Sequence, residues 1–343
     1  MAREKTLAIT TAPFDHHGQR TERIMRDVAI ALVPVLGAAI YFFGIGALFL
    51  VLASSLGALG MEWIFGERQG LGTLRDYTAL LTGAMLGLTL PPALPLWMAF
   101  LGGAIAIGLG KLIWGGMGKN LFNPALVGRA FLQAAFPTAM TARTSFSVPG
   151  EGFLSVSGSL FAAPLMHGEV DVVSAATPLA ASKFDEVLAD YANLLIGNTT
   201  GSVGETAGIL IVVVGIWLAV RKVFDWRLPV ATLLSAAVFG GIFWGLHLAE
   251  VPLPAGRSYP DPLWTVSSGG LLFASVFMVT DPVTTPVTPK GMWIFGIGVG
   301  ALTVVIRLFS GLVEGVMFAT LLMNAITPLI DKKLQPRRFG GER

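Results

Sequence analysis

Four short runs in this 343-residue chain carry side chains that could do chemistry. The first is Asp171-Val172-Val173-Ser174-Ala175-Ala176-Thr177-Pro178, a threonine hydroxyl among small residues with a carboxylate upstream. Ser and Thr before Pro also mark loops and helix starts, so this run has a bland reading beside the chemical one. The second is Gly118-Lys119-Asn120-Leu121-Phe122-Asn123-Pro124-Ala125, followed by Gly128-Arg129. Pro124 suits the first turn of a helix and Asn123 its cap. Paired amides such as those of Asn120 and Asn123 can also hold the polar edge of a flat heterocycle. The third run is Thr280-Asp281-Pro282-Val283-Thr284-Thr285-Pro286-Val287-Thr288-Pro289-Lys290-Gly291. Its prolines forbid continuous helix, and its freed carbonyls and hydroxyls need protein, water or an ion as partners. The fourth, Gly201-Ser202-Val203-Gly204-Glu205-Thr206, reads as a helix entry with Glu205 matching the dipole.

The elements that must position these residues lie in a membrane. The chain is 54% hydrophobic and only 13% charged, well under the roughly 25% charged residues of an ordinary soluble domain. Ten apolar segments are expected at about 28–41, 44–65, 77–90, 94–112, 123–136, 204–220, 228–248, 263–279, 292–306 and 312–330. The 42 glycines fit helices that pack closely in lipid. The first 27 residues are polar and basic, without the apolar stretch of a cleavable signal. Cysteine is absent, which excludes disulfides and thiolate-held zinc or iron–sulfur clusters within this chain. The four histidines are scattered, so an electron carried here needs an organic cofactor rather than a metal. No block of basic residues points to nucleic acid.

Basic residues orient the segments. Arg68, Arg75, Lys111, Lys119, Arg221, Lys222, Arg227, Lys290, Lys332 and Lys333 fall on one side, with the amino-terminal arginines. Only Arg143, Lys183, Arg257 and Arg307 fall on the other. This positive-inside bias expects both termini in the cytoplasm and the acidic 137–203 stretch outside. The chain then divides into a cytoplasmic segment (1–27), a first half (28–136), an extracytoplasmic loop (137–203), a second half (204–330) and a cytoplasmic tail (331–343). The fold expected is an all-α polytopic membrane protein of about ten transmembrane helices. Each half has five segments with an interrupted middle, at Leu90-Pro91-Pro92 and at the Asp281 run. Five spans per half would invert the second repeat, and broken helices in such repeats surround a binding site near the mid-plane. Acids at or near membrane depth are Glu62, Asp76, Asp281 and Glu314. Glu314 is expected to pair with Arg307, and Glu62 to lie near Arg68. Asp281, with Thr280 and Glu314, forms the candidate ion pathway.

Together the four runs, in this order, resemble the RnfD/NqrB family of membrane subunits from ion-translocating flavin electron-transport complexes. The likeness extends over nearly the whole chain, from Thr11-Ala12-Pro13-Phe14 to the Asp281 run, its most specific part. The short termini make it most similar to the D subunit of the Rnf complex. The resemblance implies that Thr177 carries FMN through a phosphoester, with Asp171, Ser174 and Ala176 as the rest of the flavin-transferase motif. Val172 and Ala175 stand where the family often has Gly. It further implies a non-covalent riboflavin within the membrane, for which Asn120 and Asn123 are the candidate contacts.

By the same resemblance the chain is a subunit of a redox-driven, sodium- or proton-translocating ferredoxin:NAD oxidoreductase in the bacterial inner membrane. It has no dinucleotide-binding signature and no catalytic residue of its own for NAD chemistry. Its implied partners are cytoplasmic iron–sulfur and NAD subunits, a second extracytoplasmic flavin-bearing subunit, and the flavin transferase. Two alternatives stay open: an NqrB-like subunit of a sodium-pumping NADH:quinone reductase, and a cofactor-free channel or transporter on the same repeat.

Overall fold

A computed structural model describes residues 21–66, 76–141, 158–164, 177–251 and 259–335. Asp171, Ser174 and Ala176 lie outside the described residues, as does Arg68. Among the described residues all regular structure is helical.

The first half holds α1 (Thr21–Phe43), α2 (Gly46–Met61), α3 (Thr78–Leu88), α4 (Leu96–Gly110) and α5 (Pro124–Ala135). Helix α2 runs on into a π-helical turn, Glu62–Gly66. The connecting region contains α6 (Pro137–Thr141), α7 (Pro178–Ala180) with the π turn Ala181–Asp185, and α8 (Tyr191–Ile196). The second half holds α9 (Gly208–Val220), α10 (Arg227–Leu248), α11 (Pro262–Ser267), α12 (Leu271–Phe277), α13 (Pro289–Phe309) and α14 (Val316–Lys333). Among the described residues, five helices are long and apolar enough to cross a membrane: those over Glu22–Phe43, Gly46–Gly66, Leu96–Trp114, Arg227–Leu248 and Pro289–Phe309. The chain is a multi-pass membrane protein.

The two halves pack in the same order. In the first, α2 lies against α3 and α4, and α4 against α5. In the second, α10 lies against α11, α12 and α13, and α13 against α14. Small residues permit both central crossings. A Cβ on Gly103 of α4 would overlap the Ser54 carbonyl of α2, and one on Gly57 of α2 would overlap the Phe100 carbonyl of α4. On the other side, a Cβ on Gly300 of α13 would overlap Ser235 and the Thr232 carbonyl of α10. In lipid, where apolar contact alone discriminates little between helix and solvent, such close approach supplies the dispersion energy of association.

Both middle segments are interrupted, and the second differs from expectation. The run 263–279 reads as one apolar segment, yet it is two short helices separated by Ser268-Gly269-Gly270. Gly269 takes a φ of +63°, which a residue with a Cβ rarely adopts. The Asp281 run is a further stretch of turns before α13. In the first half α3 ends at Leu88, and the chain turns through Pro91, Pro92 and Pro95 before α4.

Candidate functional site at the helix breaks

Interrupted helices leave main-chain groups that lipid cannot satisfy, and the way they are satisfied builds the site. At the first break the Leu88 carbonyl accepts from Gly204 N–H at 2.6 Å and the Leu90 carbonyl from Val203 N–H at 3.1 Å. The Gly201–Thr206 run is therefore a plug against the first break as well as the entry to α9. At the second break Arg307 donates through Nη1 to the Thr265 carbonyl (2.8 Å) and through Nη2 to the Ser268 carbonyl (3.1 Å). Arg307 also pairs with Glu314 at 3.0 Å, as expected, and Glu314 accepts from Gly270 N–H at 3.0 Å. A guanidinium and a carboxylate flanking the α13–α14 connection thus close both ends of the gap.

A second ion pair meets the first there. Arg129 of α5 donates to Glu205 at 2.9 Å and to Ser202 at 3.4 Å. The Glu205 carboxylate lies against Gly270, where an added Cβ would collide with it. Glu205 and Glu314 therefore approach the same glycine pair.

Above this cluster opens a cavity of about 210 Å³, lined among others by Thr177, Arg129, Gln133, Thr200, Glu205 and Glu314. Thr177 caps α7: its Oγ1 accepts the Ala180 N–H at 3.3 Å, with Pro178 in the first helical position. The hydroxyl proton has no acceptor among the described residues. A phosphoester at Oγ1 would remove that proton and leave the oxygen's cap bond intact. The side chain could therefore take a phosphate ester without losing its place in the turn, and it lines the cavity. Lys183, farther along the same segment, fixes it by donating to the carbonyls of Arg307 (2.8 Å), Ser310 (2.6 Å) and Leu312 (2.7 Å). On the same side Asp261 caps α11 and accepts the Tyr191 phenol of α8. That hydrogen bond, then burial, then the charge of Asp261 push the phenol up to about 12.

The remaining candidates sit elsewhere. Asn123 is buried and caps α5, its Oδ1 accepting from Ala125 N–H (3.0 Å) and Leu126 N–H (3.4 Å). Its Nδ2 donates to the Met278 carbonyl at 3.2 Å, and its own N–H donates to Asn324 at 3.3 Å. Asn324 in turn donates to the Thr284 carbonyl at 3.2 Å. This amide pair ties α5 and α14 to the Asp281 run. Asn120 donates to the Phe122 carbonyl at 3.2 Å, and its Oδ1 has no partner among the described residues. Asp281 caps its own turn through Val283 N–H (3.1 Å) and the Thr284 hydroxyl (3.2 Å). Thr280 donates to the Val276 carbonyl. Asp281 and Thr280 line a cavity of about 70 Å³ against α1, separate from the one at Thr177 that Glu314 lines. Glu62 pairs with Lys111, at 2.7 Å, and Lys111 also reaches the Thr78 hydroxyl at 2.9 Å; the expected neighbour Arg68 lies outside the described residues. The pairing of Arg129 with Glu205 is invisible in the sequence. The sequence signals are only the place of Glu205 in a Gly-rich helix entry and that of Arg129 shortly after the Asn123-Pro124 run.

The chain matches the model of the NQR2, RnfD, RnfE family over residues 8–340. It is 36% identical over 352 residues to the D subunit of the proton-translocating ferredoxin:NAD(+) oxidoreductase complex of Clostridium ljungdahlii, covering 99% of this chain and 98% of that one. It is 34% identical over 353 residues to the D subunit of the ion-translocating oxidoreductase complex of Actinobacillus succinogenes, covering 97% of each. The protein of the same name from Stutzerimonas stutzeri is 36% identical over 341 residues, covering 93% of this chain and 92% of that one.

Proposed function

This chain belongs to the NQR2, RnfD, RnfE family, and from that membership we propose that it is the D-type membrane subunit of an ion-translocating ferredoxin:NAD oxidoreductase, carrying FMN on Thr177. The observation that carries the reading is Thr177 itself. It lines a cavity shared with Arg129, Gln133, Glu205 and Glu314, in a segment that Lys183 fixes to the end of α13. A flavin takes electrons in pairs and releases them singly, which links hydride carriers to one-electron carriers. The chain's own task is to hold it. Thr177 supplies the anchoring oxygen, and Asp171, Ser174 and Ala176 complete the motif read by the transferase. Arg129 and Gln133 offer donors within the cavity.

The partners proposed are the iron–sulfur and NAD subunits on the cytoplasmic side and a second flavin-bearing subunit outside. The ion moved is sodium or a proton, and Asp281 with Thr280 remains the proposed ion route. A riboflavin in the membrane domain would use the Asn120 amide, since that of Asn123 is committed to its cap and to Met278. The matching packing order of the two halves supports the five-plus-five inverted repeat, with half-helices completing the spans that the five long helices do not. Both termini then face the cytoplasm of a bacterial inner membrane and Thr177 faces outward.

The test is flavin fluorescence in a denaturing gel, with intact mass, on protein from its native host. Wild type is expected to fluoresce and to carry the mass of one FMN ester. Thr177→Val should lose both. Thr177→Asn, which keeps a helix cap but cannot form the ester, should lose both while folding normally. A dark wild-type band overturns the reading and favours a cofactor-free channel.

A further inference from the structure

The cavity beneath Thr177 has, among the described residues, one cation with donors to spare. Glu205 and Ser202 take two N–H groups of Arg129, out of the five a guanidinium carries. Arg307, by contrast, does not line the cavity: its terminal nitrogens go to Thr265, Ser268 and Glu314, and its Nε is buried without a partner among the described residues. Arg129 is held in place by a counter-charge and still lines the cavity. Its side chain is only 12% exposed, so its field is weakly screened there.

Building on the FMN reading above, we propose that Arg129 binds the pyrimidine edge of the Thr177-linked flavin and raises its reduction potential, with Glu205 as the counter-charge that moderates the effect. The chemistry is that of charge complementarity. A flavin that gains two electrons and one proton carries one net negative charge, spread over its N1 and C2 carbonyl. A guanidinium facing that edge stabilises the reduced form over the oxidised one. The planar fork of Arg suits two neighbouring acceptors on one edge, which a Lys ammonium matches as charge but not as shape. Glu205 pulls on the same guanidinium and lies against Gly270, so its negative charge acts in the opposite sense.

The signs give the test. The whole complex is purified from its host, and the Thr177 flavin is titrated with dithionite in the presence of redox mediators. Arg129→Met should lower its midpoint potential. Glu205→Gln should raise it. Arg129→Lys should lower it by less than Arg129→Met, because the charge stays and the fork is lost. Difference infrared spectra should show the flavin C2 carbonyl stretch moving to higher frequency in Arg129→Met. A purely structural ion pair would shift both variants in the same direction, and that result overturns the proposal. So does an unchanged potential in Arg129→Lys and Glu205→Gln, which decide the matter where Arg129→Met does not accumulate. The fluorescent band in the denaturing gel keeps the two readings apart. Covalent flavin with a potential indifferent to both residues overturns the role of Arg129 alone, whereas absence of covalent flavin overturns the FMN reading with it.

Discussion

Single residues in this protein serve mainly to satisfy main chain that the breaks leave open. Asn123 is the fullest case: cap, cross-tie to Met278, and acceptance by Asn324 meet at one buried residue. Replacing it by Ala removes the cap and strands the Met278 carbonyl, each worth about 1 kcal/mol or more. Asn123→Ala should therefore lower the unfolding free energy in detergent by about 2–4 kcal/mol. Asn120→Ala, losing one bond to Phe122, should cost about 1 kcal/mol or less. Thermal unfolding of the two variants side by side checks this, and equal losses would contradict the tie. The cap at Asn123 was legible because an Asn before Pro is a local signal. The pairing of Arg307 with Glu314 was legible because only seven residues separate them. Glu62 with Lys111 and Arg129 with Glu205 were not, because their partners lie 49 and 76 residues away and no local pattern points to them.

At the scale of elements, two glycine-lined crossings carry the fold. The α2–α4 crossing leaves no room for a methyl group at Gly103, since the obstacle is the Ser54 carbonyl and not a flexible side chain. Gly103→Ala must push the helices apart, at a cost of about 3 kcal/mol. Gly37 of α1 has open space where its Cβ would be, so Gly37→Ala should be neutral or stabilise by up to about 1 kcal/mol through helix propensity. Unfolding midpoints of the two variants make the comparison, and a destabilised Gly37→Ala beside an unaffected Gly103→Ala would refute it. Apolar runs and a Pro-rich stop made these helices readable in the sequence. The break at Ser268–Gly270 was hidden because the apolar-rich run 263–279 looks like one span. What ends α11 there is a polar clamp from Arg307 and Glu314, which are distant in the chain. Lys183 works at the same scale, tying the Thr177 turn to the end of α13 and the residues after it by three carbonyls. Lys183→Met should leave the proposed covalent flavin in place but free the segment, seen as lower fluorescence anisotropy of that flavin. Anisotropy equal to wild type would show that Lys183 is not the tether.

For the whole molecule, the distance between the ends of α13 decides which face the Thr177 turn occupies. The helix has 21 residues, roughly 30 Å of rise and so about one hydrocarbon thickness. Lys183 and the Thr177 turn are bonded to its carboxyl end, while Lys290 opens its amino end. If α13 spans the bilayer, Thr177 and Lys290 lie on opposite faces, whichever way the protein is inserted. The basic residues Arg221, Lys222, Arg227, Lys332 and Lys333 share the side assigned to Lys290 by the charge pattern, which is the ground for the proposed cytoplasmic placing of that side. Because the chain has no cysteine of its own, one introduced thiol reports one position. Val187→Cys and Lys290→Cys both alter exposed residues. In intact spheroplasts a membrane-impermeant maleimide should label Val187→Cys and spare Lys290→Cys until the membrane is opened. Labelling of Lys290→Cys alone would invert the molecule and place the Thr177 turn inside. Equal labelling of both would mean that α13 does not cross the bilayer.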